Sequence, residues 1–169
     1  MTQERTPKHF LELINKHQSI IHKICFIYSR NRSDREDLQQ ELILQFWKSF
    51  PSFQGNAAFS TWMYRVALNT AINQTRKPGL LVDTSSSPEL SYDPSESYHL
   101  SEEIQILYRA ISRLKKIEKA IILLWLEEKS YEEIAEMIGI TVKNVSVKLV
   151  RIKSRLAGII SKLSKNEIH

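Results

Sequence analysis

Phe10, Leu13, Ile14, His17, Ile21, Ile24 and Tyr28 recur at three- and four-residue steps, the spacing that stacks side chains on one face of an α-helix. A helix with a buried stripe is predicted there, and His17 falls on the stripe as a packing residue rather than a ligand. Ser33-Asp34-Arg35-Glu36 has the Ser-x-x-Glu form of a capping box, in which hydroxyl and carboxylate each satisfy an orphan backbone N–H. A second helix is predicted from that point to just before Pro51. Along it Leu38, Leu42 and Phe46 step by four toward a core, while Asp37, Gln40, Glu41, Leu44 and Trp47 share another side. Phe53 to Ala58 reads as a loop, since Gly55 and Asn56 tolerate backbone angles that most residues avoid. Ser60 or Thr61 is then expected to cap a third helix running to about Lys77. No useful stretch of β-type alternation occurs, and only four glycines are present to make tight hairpins.

Toward the other end, Ser130-Tyr131-Glu132-Glu133-Ile134-Ala135-Glu136-Met137-Ile138-Gly139-Ile140-Thr141 reads as a capped short helix, a glycine turn and the cap of another helix. That order is the grammar of a helix-turn-helix. In the helix that follows, Val142, Val145, Leu149, Ile152 and Leu156 form the predicted buried stripe, which leaves Lys143, Asn144, Ser146, Val147, Lys148 and Arg151 outward. A recognition helix in the major groove needs such a polar and basic face, with small apolar groups such as Val147 and Val150 for thymine methyls. The plainer reading is a solvated basic face on a helical bundle.

Charge then divides the chain. Its 169 residues carry 24 Lys+Arg and 19 Asp+Glu, a net +5. Residues 1–77 hold eleven bases against six acids and residues 109–169 thirteen against seven, whereas 78–108 have six acids and no Lys or Arg. Pro78-Gly79, Ser85-Ser86-Ser87-Pro88 and Asp93-Pro94 favour extended or turn backbone in that acidic stretch. The expected architecture is all-α: two small helical domains, 1–77 and 101–169, joined by a flexible acidic linker over 78–100, with the helix-turn-helix in the second. The linker is either a solvated tether or a segment lying in a basic channel of a partner.

Several classes drop out. The longest apolar run, Ala120 to Leu126, falls far short of the ~20 residues that span a bilayer, and the polar N-terminus carries no secretory signal. Cys25 is the lone cysteine, which excludes an intrachain disulfide and a cysteine-cluster zinc site. A cytoplasmic protein without membrane insertion and without a cofactor is expected. Asp34, Asp37 and Glu41 resemble hard-cation ligands, but no matching His or second acidic cluster accompanies them, and no catalytic constellation is visible.

Two surfaces invite partners. An exposed Leu44 and Trp47 beside carboxylates fit a protein-docking face, the alternative being that Trp47 packs under the next loop. The third helix mixes Phe59, Trp62, Tyr64, Arg65, Asn69, Asn73, Arg76 and Lys77, a set suited to single-stranded or melting DNA because rings stack on bases and cations neutralise phosphate. Its alternative is that the apolar members are only core.

Three stretches, Asp37-Leu38-Gln39-Gln40-Glu41, Phe53 through Asn73, and Ser130-Tyr131-Glu132-Glu133-Ile134-Ala135, closely resemble the extracytoplasmic-function sigma factors of bacterial RNA polymerase. The resemblance spans nearly the whole chain, with three motifs in order. It implies a non-enzymatic initiation factor that binds core polymerase and promoter DNA and is held in check by an anti-sigma protein. By the same likeness, Asp37, Gln40 and Glu41, with Leu44 and Trp47 on that side, meet the polymerase clamp. Gln54, Asn56 and Ala57 line a pocket for an extruded base of the −10 element, and Tyr64, Arg65, Asn69, Asn73 and Arg76 lie along the strand. Lys143, Asn144, Ser146, Val147, Lys148 and Arg151 read the −35 duplex, the last domain also sits on the polymerase flap, and the acidic linker threads toward the active-site and RNA-exit channels. The chain departs from the family at Ser146-Val147-Lys148, where a basic residue and Ser often precede Arg, and at Lys115-Lys116-Ile117-Glu118, where Pro-Pro-x-Glu is frequent. With no sensing extension expected after the helix-turn-helix, control is expected from outside. The competing class is a helix-turn-helix regulator that never joins core polymerase.

Overall fold

A computed structural model describes residues 5–74 and 101–167, and they fall into two compact units on either side of the acidic segment. Among the described residues all regular structure is helical. The linker expected over 78–100 lies outside them.

The first unit opens with α1, Pro7–Lys16, whose start is dictated locally: Thr6 is extended and its hydroxyl accepts from the His9 N–H at 3.2 Å, and Pro7 occupies the first turn, where no donor is needed. The predicted continuous first helix is broken. At His17 (φ −113, ψ 24) the backbone N–H divides between the Leu13 and Ile14 carbonyls, and α2, Gln18–Tyr28, sets off afresh. The His17 ring explains the site of the break, donating from Nδ1 to the Leu13 carbonyl at 2.9 Å and resting 5.2 Å from the Phe59 ring. It packs, as its place on the stripe implied.

Helix α3, Arg32–Ser49, starts earlier than the Ser33 capping box proposes. Asn31 is the cap, its Oδ1 accepting from the Asp34 N–H at 2.8 Å. A side-chain amide oxygen does that work as well as a hydroxyl, and it stands two residues closer to the turn. Leu38, Leu42 and Phe46 are buried as predicted; Arg35 joins them, its guanidinium 5.4 Å over the Phe26 ring. A 3-10 turn, Phe50–Ser52, follows, and after the loop comes α4, Phe59–Gln74. Ser60 and Thr61 therefore sit inside the first turn of α4 and do not cap it. Tertiary packing decides this start, because Phe59 contacts Trp62, Phe53 and Phe50 with ring centroids 5.2, 5.4 and 6.5 Å away.

The second unit consists of α5, Glu102–Ser112, α6, Lys116–Leu126, α7, Tyr131–Ile138, and α8, Val142–Glu167. Ala120 to Leu124 are buried without interruption, so the middle of α6 is enclosed on all sides and its apolar run is core. Val145, Leu149, Ile152 and Leu156 close the core from α8, joined by Leu163. Val142, placed on that stripe from its spacing, is 41% exposed because it stands in the first turn, at the open end of the helix.

Candidate nucleic-acid interface

Burying Leu38, Leu42 and Phe46 turns the other side of α3 to solvent. Asp37, Gln40, Leu44 and Trp47 are exposed there, and Trp47, at 42%, stands edge-on to Phe10 with centroids 5.0 Å apart rather than lying under the following loop. Between α1 and α3 this leaves an apolar groove of about 450 Å³ whose walls include Phe10, Leu11, Ile43, Leu44 and Trp47. Leu11 and Ile43 were not singled out from the sequence, though each flanks a residue of a recognised stripe. Glu41 parts company with its expected neighbours. It is half-buried, accepts from Gln45 Nε2 at 2.8 Å, and faces a different cleft, of about 470 Å³, shared with Ser49, Asn69, Thr70 and Asn73 between α3 and α4.

Gln54, Asn56 and Ala57 are all exposed on the loop before α4. Gly55 sits at φ 77, in the left-handed region where a Cβ is strained, and the Asn56 amide donates to Gln54 Oε1 at 3.4 Å. Arg65, Asn69 and Asn73 follow at four-residue steps on one exposed face of α4. Tyr64 does not belong with them. It is 2% exposed, and its hydroxyl accepts from Lys23 Nζ at 3.1 Å, so the ring is core and is withdrawn from the DNA-facing set. Phe59 and Trp62 are half-buried in the ring cluster, where their faces already have partners. Arg76 lies outside the described residues.

The helix-turn-helix is built as its sequence says. Ser130 Oγ accepts from the Glu133 N–H at 3.1 Å, Gly139 ends α7 at φ 82 and ψ 37, and Thr141 Oγ1 accepts from the Asn144 N–H at 3.1 Å. Lys143, Asn144, Ser146, Val147, Lys148 and Arg151 are all exposed, around a Val150 that is 69% exposed. Beyond Arg151 the next two bases, though exposed, have partners within the unit. Lys153 Nζ lies 3.9 Å from the centroid of the Trp125 ring, and Arg155 Nη1 bonds both carboxylate oxygens of Glu118 at 2.7 and 2.8 Å. Glu118, in the divergent Lys115–Glu118 stretch, thus fastens α6 to α8.

Among the described residues no group of three or more His, Cys, Asp or Glu is placed to hold a metal, and no helix is long and apolar enough to cross a membrane. Residues 13–79 match sigma-70 region 2, and residues 104–156 match sigma-70 region 4. The sigma-E factor of Haemophilus influenzae is 31% identical over 177 residues, 95% of this chain and 92% of that protein. The chain belongs to the extracytoplasmic-function sigma factors. The Escherichia coli K12 sigma-E factor is 32% identical over 170 residues, covering 91% of this chain and 87% of that one. In fold, this sigma factor is similar to the Bartonella quintana sigma factor RpoE, solved with the anti-sigma factor NepR (TM-score 0.71, 20% identity, 91% of this chain and 98% of that one). It is also similar to CnrH, solved with the cytosolic domain of CnrY (TM-score 0.63, 17% identity, 94% and 91%). Its function is that of a sigma factor: it joins core RNA polymerase and directs initiation at promoters. A regulator that never joins the polymerase would have no need of region 2, and that alternative is not favoured.

Proposed function

We propose a division of tasks among these surfaces. The α1–α3 groove, with Gln40, Leu44 and Trp47 on its α3 side and Asp37 exposed a turn before them, receives core polymerase. Gln54, Asn56 and Ala57 take an extruded base of the −10 non-template strand, and Arg65, Asn69 and Asn73 carry the rest of that strand along α4, past the cleft that Glu41 lines. Flipping a base costs a few kcal/mol, which a pre-shaped pocket with basic flanks offsets, so melting and recognition are one event. Lys143, Asn144, Ser146, Val147, Lys148 and Arg151 read the −35 duplex, with bases on phosphate and the valines on thymine methyls. Residues 1–77 act as region 2, 78–100 as the linker and 101–169 as region 4. The factor works in the cytoplasm, turns over no substrate of its own, and is held by an anti-sigma protein; the two fold relatives solved with partners favour that last point.

The observation that carries this reading is the segregation in region 2: apolar Trp47 and Leu44 open onto one groove, and the amides of α4 line another. Trp47→Ala is expected to weaken core binding at least tenfold, as for an interface hot spot, while single-stranded −10 capture survives. Asn56→Ala is expected to impair open-complex formation more than core binding. Permanganate footprinting of the melted region beside a core-binding titration measures both, and equal losses in both assays for either variant reject the segregation.

A further inference from the structure

The loop assigned above to the extruded base is anchored by a residue far from it in sequence. The 3-10 turn Phe50–Ser52 stops just before that loop, and a helical segment that stops leaves its last carbonyls without partners. Arg5 supplies them. Its Nη1 donates to the Pro51 carbonyl, and its Nη2 donates to the Phe53 carbonyl at 2.5 Å. A guanidinium presents its N–H groups as a rigid planar fork, so two bonds to two carbonyls fix the direction of that backbone as well as its position.

Arg5 is itself held in place. The next residue, Thr6, is the extended cap of α1, and the first turn of α1 leans on the same 3-10 turn through His9 and Phe10, whose rings lie 6.3 and 5.2 Å from Phe50. On the far side of the forked carbonyls the Phe53 ring stands 5.4 Å from Phe59 and 5.5 Å from Trp62. Phe53 is therefore gripped by its ring and by its carbonyl, and the next residue is Gln54. The loop beyond is exposed and turns on a left-handed glycine. What it presents to DNA depends on how it leaves Phe53.

We propose that Arg5 is a positioning residue for strand capture, setting through the carbonyls of Pro51 and Phe53 the angle at which Gln54–Ala57 meets an extruded base. This rests on the reading of that loop as the base pocket. Arg5 acts through the loop and needs no contact with DNA. A loop ordered beforehand spends less of its binding energy on being ordered and more on telling one base from another.

The test uses holoenzyme assembled from core polymerase and the full chain, titrated with fork-junction −10 DNA carrying each of the four bases in turn at each non-template position. The wild type is expected to show a base preference at one position that Asn56→Ala abolishes. At that position Arg5→Ala is expected to lower the ratio of best-base to worst-base affinity about tenfold, the scale of a small misplacement of a binding group, while core affinity stays within about twofold. Arg5→Lys keeps the charge and loses the fork, and is expected to leave the ratio low. An unchanged ratio in Arg5→Ala overturns the proposal, and so does a parallel fall for all four bases, the result of a lost phosphate contact or a merely structural defect. Full recovery in Arg5→Lys overturns the fork. Wild-type holoenzyme with no base preference sensitive to Asn56 removes the pocket reading itself, a failure distinct from the others.

Discussion

Region 2 adds a cluster of rings to an aliphatic core, whereas region 4 is held by aliphatic side chains with almost no rings. In the first unit Phe10, Phe46, Phe50, Phe53, Phe59, Trp47 and Trp62 touch one another in pairs, with centroids between 5.0 and 6.5 Å apart. In the second, Ile, Leu, Val and Ala fill the interior, and Trp125 is half-buried at its margin under Lys153. Rings reach far and orient their neighbours, so in region 2 the break at His17 and the start of α4 fall where a ring lands, while Thr6 and Asn31 cap α1 and α3. Aliphatic residues fill space with little orientation of their own, so in region 4 local chemistry at Ser130, Gly139 and Thr141 sets the ends. Exposed surface divides in the same way. Region 2 commits Tyr64, Phe59 and Trp62 to packing and leaves amides of α4 and the loop before it exposed, whereas region 4 pairs Lys153 with Trp125 and Arg155 with Glu118 and leaves the outer face of α8 open.

The harshest way to break this contrast is to remove a ring from the middle of the cluster. Phe46 is fully buried, and Phe46→Ala is expected to cost about 3–5 kcal/mol. If the units are independently stable, the full-length variant loses region 2 cooperativity in thermal melts and by hydrogen exchange, yet still binds −35 duplex with wild-type affinity. Loss of both activities together means that the units fold as one.

Gly139 and Gly55 have nearly the same backbone angle, φ 82 and 77, and open space where a Cβ would go. Alanine at either carries left-handed strain of about 1–2 kcal/mol. Gly139 closes a helix whose Ile134 and Ala135 are buried, so Gly139→Ala is expected to lower the melting midpoint of region 4 and to weaken −35 binding with it. Gly55 lies in an exposed loop outside the core, so Gly55→Ala is expected to cost less stability than Gly139→Ala and to impair open-complex formation. Equal stability losses at the two sites contradict a helix end that supports the core of region 4 beside a loop that supports none in region 2.

Alkaline pH offers a gentler probe of region 2. Burial pushes the Tyr28 hydroxyl well above the ordinary tyrosine value of about 10 by penalising its charged form. Below pH 10 both folded and unfolded chains keep the proton, and this group adds no pH dependence. Above pH 10 the unfolded chain ionises first and binds fewer protons, so stability falls by about 1.4 kcal/mol per pH unit. Urea melts of wild type and Tyr28→Phe at pH 8 to 11.5 measure this. The variant is expected to lose that slope, and equal slopes would show that Tyr28 does not govern alkaline unfolding.

Much of region 4 was legible because each of its signals acts within a few residues: a hydroxyl three positions before the N–H it caps, a glycine where φ turns positive, a stripe that α8 buries from Val145 to Leu156. In region 2 the stripes of α1, α2 and α3 were legible for the same reason. The break at His17 and the burial of Tyr64 were not, since His17 rests on the Phe59 ring and Tyr64 pairs with the Lys23 amine, both distant in sequence. The start of α4 was not, since rings packed on Phe59 set it rather than a capping side chain. The groove between α1 and α3 was half legible: Leu44 and Trp47 announced an apolar face, but only the packing of Phe10 on Trp47 brought Leu11 into it. Arg5 carried no local signal at all, because the carbonyls it satisfies lie 46 and 48 residues on.

The smallest expected effect bears on a helix start that, like that of α1 at Thr6, region 2 sets by local chemistry. Asn31 Oδ1 caps α3 by accepting from the Asp34 N–H, while Ser33 lies inside the helix with an exposed side chain. Asn31→Ala is expected to cost about 1 kcal/mol, typical of a lost N-cap, and Ser33→Ala less than about 0.5 kcal/mol, as at an ordinary surface position. Chemical denaturation of the two variants separates these values. A larger loss at Ser33 would place the helix start where the Ser-x-x-Glu pattern put it. A cap that matters at Asn31 shows instead that the unit with the ring cluster also relies on a local hydrogen bond to start α3, the helix proposed above to face the polymerase.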